Sequence, residues 1–168
     1  ALEIVGCEKH KSWAKKVADQ AITLVRDEQE LLPISPKKYK RVYLNVIQKD
    51  LDPENAFVQS WKEKFEQEGF QVTVRDRRVS ISVEDFMNPA GMTPEKGKLM
   101  HEMYRSVKEM KQDYDLYVYI CNMENASNNT TLRLNWNVCF GLGDDAPWFA
   151  SEIPALMIST AYPFHLFD

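Results

Sequence analysis

Arg41-Val42-Tyr43-Leu44-Asn45-Val46-Ile47, then Asp52-Pro53-Glu54, then Phe70-Gln71-Val72-Thr73-Val74 are the three pieces that decide the fold. The first is short, β-branched and aromatic, the pattern of a strand buried on both faces. The second supplies an N-cap carboxylate, a proline whose missing N–H costs nothing at the first helical position, and an acid beside the positive helix end. A helix therefore starts there. It carries Phe57, Trp61 and Phe65 at steps of four, and Gly69 provides a left-handed stop. The third piece is the next strand. Strand, helix and strand in this order form a crossover unit of a parallel sheet.

The pattern continues along the chain. Thr93-Pro94-Glu95 repeats the cap design and opens a helix expected to run to about residue 113, with Leu99, Met103, Val107 and Met110 on its inner stripe. Residues 116–121 and 155–159 read as a third and a fourth strand. Upstream, Trp13, Val17, Ala21, Leu24 and Val25 recur at helical steps. They predict an amphipathic helix over 8–27 that covers a core. The stretch 75–91 is long for a connection, so it is read as a functional loop or an irregular edge strand suggested by the alternation of Val79 to Val83. The expectation is one domain over 1–168, a three-layer α/β/α sandwich with a mostly parallel sheet.

Composition narrows the function classes. With 168 residues the chain is long enough to bury roughly 70% of its unfolded surface without disulfides or a structural metal. Lys and Arg number 21 against 25 Asp and Glu, and the net charge of −4 argues against a nucleic-acid partner. No apolar run is long enough to span a membrane. Cys7, Cys121 and Cys139 make no CxxC pair and have no histidine at metal spacing, so neither a disulfide scaffold nor a metal site is expected. Walker, G-x-G-x-x-G and G-x-S-x-G signatures are missing, and no cofactor is implied.

In open α/β sheets ligands bind outside the carboxyl ends of the strands. The stretch after the third strand, 122–136, holds five Asn, one Ser, two Thr, one Glu, one Arg and a Trp. Amides and hydroxyls both donate and accept, and an aromatic face suits the C–H face of a sugar ring, so this composition fits a saccharide site. It fits an ordinary Asn-rich surface loop as well. Glu124 is the carboxylate whose loop position would let burial raise its pKa for acid/base work. His165 stands beyond the fourth strand at the same rim, where it is either a ligand contact or a packed loop histidine.

Three segments carry a family resemblance. The run Val17-Ala18-Asp19-Gln20-Ala21-Ile22-Thr23-Leu24-Val25-Arg26-Asp27, followed by Leu31-Leu32-Pro33-Ile34, resembles the start of the C-terminal domain of family 3 glycoside hydrolases. The stretch Ala126-Ser127-Asn128-Asn129-Thr130-Thr131-Leu132-Arg133-Leu134-Asn135-Trp136 and the ending from Glu152 to Asp168 are similar to the β-N-acetylglucosaminidase branch of that family, found in Gram-positive bacteria. The resemblance implies a flavodoxin-like sandwich that packs on an N-terminal TIM-type barrel of the same polypeptide. It implies an amino-sugar glycoside as substrate and a site completed by Ser127, Asn128, Thr130 and Arg133.

The family's nucleophile and the branch's histidine acid/base belong to the barrel and map onto no position here. The resemblance therefore implies no catalytic residue in this chain, which is expected to be an inactive portion of a glycosidase. The family runs on past the Ala161-Tyr162-Pro163-Phe164-His165-Leu166 segment, so the domain is expected to be truncated at its end. Read without the resemblance, the same pattern also fits a self-standing flavodoxin-like binding or signalling module. Against that module, Gln48-Lys49-Asp50-Leu51-Asp52-Pro53 lacks the Ser, Thr and Gly of a flavin phosphate loop.

Overall fold

The computed structural model describes residues 4–123, 138–139, 142–143 and 146–160. The chain forms two compact units, Ala1–Leu32 and Pro33–Asp168. In the first, helix α1 spans Glu8–Ala21 and stops where Ile22 turns extended. The run Ile22-Thr23-Leu24-Val25 is rich in β-branched residues, which are poor helix formers, and this ends the helix short of residue 27. No residue of α1 is buried, and Trp13 and Val17 of its apolar stripe are exposed. Within its own unit, α1 covers no core. A unit of this size has too little chain to enclose such a stripe by itself.

The second unit is built on a four-stranded parallel sheet. Its strands are β1 (Arg41–Gln48), β2 (Gln71–Val74), β3 (Leu116–Asn122) and β6 (Ala155–Ser159), in the order β2-β1-β3-β6. The short strands β4 (Val138–Cys139) and β5 (Leu142–Gly143) pair antiparallel in a separate ladder. Register is set by pairs such as Tyr43 with Thr73 and Tyr117, and Tyr117 with Ala155. All but the last residue of β3 is buried, as a central parallel strand requires. Leu44, Ile47, Leu116, Val118 and Ile120 are enclosed completely.

Helix α2 (Ala56–Gln67) begins slightly later than expected. Asn55 is its N-cap, accepting from Val58 N at 3.0 Å, while Asp52 accepts from Glu54 N at 3.1 Å in a turn before it. Its end is as expected. Gly69 has φ +94°, Gly69 N donates to Glu66 O and Phe70 N to Phe65 O, and the Phe65 and Phe70 rings meet at 5.5 Å.

The connection after β2 holds no strand among the described residues. It carries α3 (Val83–Met87), opened by a Ser82–Asp85 capping box, and a 3-10 turn at Pro89–Gly91. The helix expected over 93–113 is two, α4 (Pro94–Met103) and α5 (Val107–Asp113). Ser106 and Glu109 form a second capping box, which restarts the helix after Tyr104.

Met110 of α5 packs with Phe149 and Ile153 on the sheet face that shows Tyr117, Tyr119 and Cys121. Right-handed crossovers place α2 on the opposite face, because the chain steps from β1 to β2 in one direction and from β2 to β3 in the other. The α/β sandwich expected from the sequence is the architecture found.

Candidate functional site

A parallel sheet points every carboxyl end the same way, and here each strand delivers a polar residue to that edge. β1 ends in Gln48, β3 in Asn122, and Thr160 follows β6 directly. Gln48 and Asn122 are register partners. Asn122 Nδ2 donates to Gln48 Oε1 at 3.5 Å, and Thr160 Oγ1 donates to Asn122 Oδ1 at 3.1 Å. Thr160 is itself fixed by Cys121 O, which accepts from its backbone N at 3.0 Å. The result is a row of amide, amide and hydroxyl across three strands. Gln48 Nε2 is enclosed and has no hydrogen-bond partner among the described residues, a state that costs about 1–3 kcal/mol for a buried donor.

After β2 comes Arg75-Asp76-Arg77-Arg78. Arg75 and Arg77 are buried. Arg75 N donates to Leu44 O at 2.9 Å, its Nη1 donates to Asp76 O, and its Nη2 donates to Val79 O at 2.8 Å, so this arginine shapes its own loop. Arg78 spans two loops. It holds Asp76 Oδ2 at 2.7 Å and reaches Asp52 Oδ1, in the connection after β1, at 3.4 Å. The Arg78 hydrogen bond keeps the Asp76 carboxyl below its ordinary value. That is the wrong direction for a proton donor near neutral pH.

Leu51 after β1, and Val83 and Met87 on α3 after β2, leave 40%, 54% and 80% of their surfaces in solvent. The edge therefore combines neutral hydrogen-bonding groups, a compensated ion cluster and exposed apolar side chains. Such a surface can bind and orient; it holds no acid/base pair among the described residues.

No family model matches the chain. A β-N-acetylglucosaminidase/β-glucosidase of Cellulomonas fimi is 26% identical over all 168 residues, which correspond to 27% of its length. Two solved structures of the β-glucoside phosphorylase BglX, one bound to 2FGlc, match with TM-scores of 0.72 and 0.71. In both, identity is 34%, and the match covers 99% of this chain and 26% of the other. In sequence and in fold the chain resembles the α/β domain that forms the C-terminal part of family 3 glycoside hydrolases. It spans about a quarter of the length of the relatives it matches.

The residues singled out in the sequence, Ser127, Asn128, Thr130, Arg133, Glu124 and His165, all lie outside the described residues. What the structure adds is Gln48, Asn122 and Thr160 at the strand ends and the Arg75 to Arg78 turn beside them. Asn122 stood at the head of the Asn-rich stretch. Gln48 and Thr160 carry no motif. Three arginines directly after a strand were a visible signal of a built loop.

Proposed function

We propose that these residues are the accessory α/β domain of a longer retaining glycosidase of the β-N-acetylhexosaminidase type. In this reading the domain packs its strand-end edge on a catalytic TIM-type barrel. Ser127, Asn128, Thr130 and Arg133 complete the site for an amino-sugar glycoside. The observation that carries it is the exposure of Leu51 in the connection after β1 and of Val83 and Met87 on α3 in the connection after β2. Large apolar side chains left bare on the connections that leave the strand ends suit a surface that is covered in its working state. Retaining cleavage needs a nucleophile and a proton-transfer group flanking the bond, and the described edge offers amides and paired charges instead.

The second step of a retaining mechanism can pass the sugar to water or to another acceptor. The likeness to a protein named a phosphorylase favours a second reading of the parent enzyme, in which inorganic phosphate is that acceptor. One experiment covers both. The 168-residue chain and a longer polypeptide containing it are assayed on chromogenic β-N-acetylglucosaminide and β-glucoside, with and without phosphate. The longer protein is expected to prefer the N-acetylglucosaminide, and the short chain to be inactive. Appearance of sugar 1-phosphate selects phosphorolysis, and free sugar alone selects hydrolysis. Comparable activity of the short chain would overturn the accessory role, and a clear preference for glucoside would overturn the amino-sugar assignment.

A further inference from the structure

A cavity of about 60 Å³ lies on the sheet face that carries α5, away from the strand-end edge. Its floor is polar. Asn45 and Tyr119 are register partners there, 1% and 4% exposed. One wall is apolar, formed by Leu99 and Met103 of α4 and Met110 of α5. The aromatic wall is tight, with Tyr117 and Phe149 at 4.4 Å and Tyr43 and Tyr114 at 5.0 Å between centroids. At the mouth stands Trp148, edge-on to Phe149 at 5.6 Å and 57% exposed.

Two magnitudes limit the occupant. Ligand pockets start at about 300 Å³, so this cavity does not enclose a pyranose ring. It has room for several waters, each needing about 10–15 Å³ by this measure, or for one small substituent. Charge limits it further. Arg105 is held by Asp113 at 2.6 Å and by Glu109 O at 2.6 Å, and Glu102, which also lines the cavity, faces Lys98 at 4.0 Å, so the charges here are paired and an anion gains little. Burial pushes the Tyr117 phenol upward, keeping it a protonated donor.

A substituent that matches a polar floor, an apolar wall and a mouth of paired charges is itself uncharged, and an acetamido group, with one donor, one acceptor and a methyl group, meets all three. We propose that this cavity is a second saccharide site, which takes the acetamido group of an N-acetylated sugar while the ring lies on the Trp148 indole. Asn45 and Tyr119 address the amide, and the side of Leu99 and Met103 receives the methyl. An exposed indole beside the opening supplies the flat apolar platform that a ring's C–H face needs. The site belongs to the chain itself and stands whichever reaction the longer protein performs.

The test is an NMR titration of the ¹⁵N-labelled chain with N-acetylglucosamine and, separately, glucose. Expected are shifts in the amides of 99–105, 146, 148 and 149, with glucose at least tenfold weaker. Trp148→Ala, at an exposed position, is expected to weaken binding at least tenfold without altering the melting curve. Tyr119→Phe, which removes one oxygen, is expected to weaken it severalfold.

Shifts confined to Gln48, Asn122 and Thr160 would sink the second site while leaving the strand-end reading intact. No shift with either sugar would mean a cavity that holds water only. Equal binding of the two sugars, or binding indifferent to Trp148→Ala, would remove the acetamido and indole roles respectively.

Discussion

Arg41 and Asp115 clasp the amino ends of β1 and β3. Asp115 Oδ1 accepts from Arg41 Nη2 at 2.6 Å, and Oδ2 accepts from Nε at 3.3 Å and from the backbone N at 2.8 Å. The same guanidinium donates to the carbonyls of Gln112 and Lys111 at the end of α5. One ion pair thus ties together two strands and the helix that precedes the second. Asp115→Ala is expected to cost about 1–2 kcal/mol, since it removes charge-assisted bonds at a half-buried site. Urea denaturation at neutral pH checks this.

Acid should weaken the fold through the same groups. The Arg41 hydrogen bond holds the Asp115 carboxyl below its ordinary value, and Arg78 does so for Asp76. Backbone and side-chain bonds from Ser82, with Lys96, bring Asp85 to about 2. Each is lowered in the folded state, so the unfolded chain takes up its proton first. The stability these groups contribute is full above about pH 4 and is lost as pH falls toward about 2, while the arginine and lysine partners stay charged throughout. Denaturation midpoints measured down this range should fall for the wild-type chain, and fall less for Asp115→Ala.

Gly69 tests the stop of α2. Its φ of +94° is a conformation that L side chains rarely adopt, although an added Cβ would meet only Pro36 at 3.7 Å. The space is ordinary and the backbone is not. Gly69→Ala is therefore expected to destabilise by about 1 kcal/mol through strain rather than through a clash. Shortening Pro36 to Ala in the same chain should not rescue it.

Ser106 tests the break between α4 and α5. Its hydroxyl accepts from Glu109 N, and Glu109 Oε2 accepts from Ser106 N at 2.8 Å. Ser106→Ala is expected to cost about 1 kcal/mol and to lower the melting temperature by about 2–4 °C. A loss that small, with helical content by circular dichroism kept, would match a lost cap.

These elements also show where sequence reading reached and where it stopped. β1 and β3 were legible because a strand buried on both faces must be apolar and β-branched almost throughout. The α4–α5 break was not, because the apolar stripe Leu99, Met103, Val107 and Met110 runs straight across it. The stripe outweighed the Ser106 to Glu109 capping box lying in plain view. At 79–83 alternation suggested a strand, yet Ser82 and Asp85 cap a helix there.

The edge itself followed from topology. Its row did not, because Gln48, Asn122 and Thr160 lie 74 and 38 residues apart and only register makes them neighbours. Helical periodicity likewise gave α1 a stripe, but periodicity alone does not say what covers it.

Val83 and Met87 test the proposed packing edge most directly. They sit one turn apart on α3, exposed, and they contribute little to the fold of the chain in which they lie bare. In the 168-residue chain, Val83→Ser with Met87→Ser should leave stability within about 0.5 kcal/mol per site and improve solubility. In a longer polypeptide whose barrel covers α3, the same pair loses buried apolar area at about 25 cal/mol per Å². That amounts to about 1–2 kcal/mol per side chain, and it should appear as a lower melting temperature and a weakened glycosidase activity. The contrast between the two contexts is the diagnostic. If both proteins respond alike, α3 is not the covered surface, and the apolar edge must have another occupant.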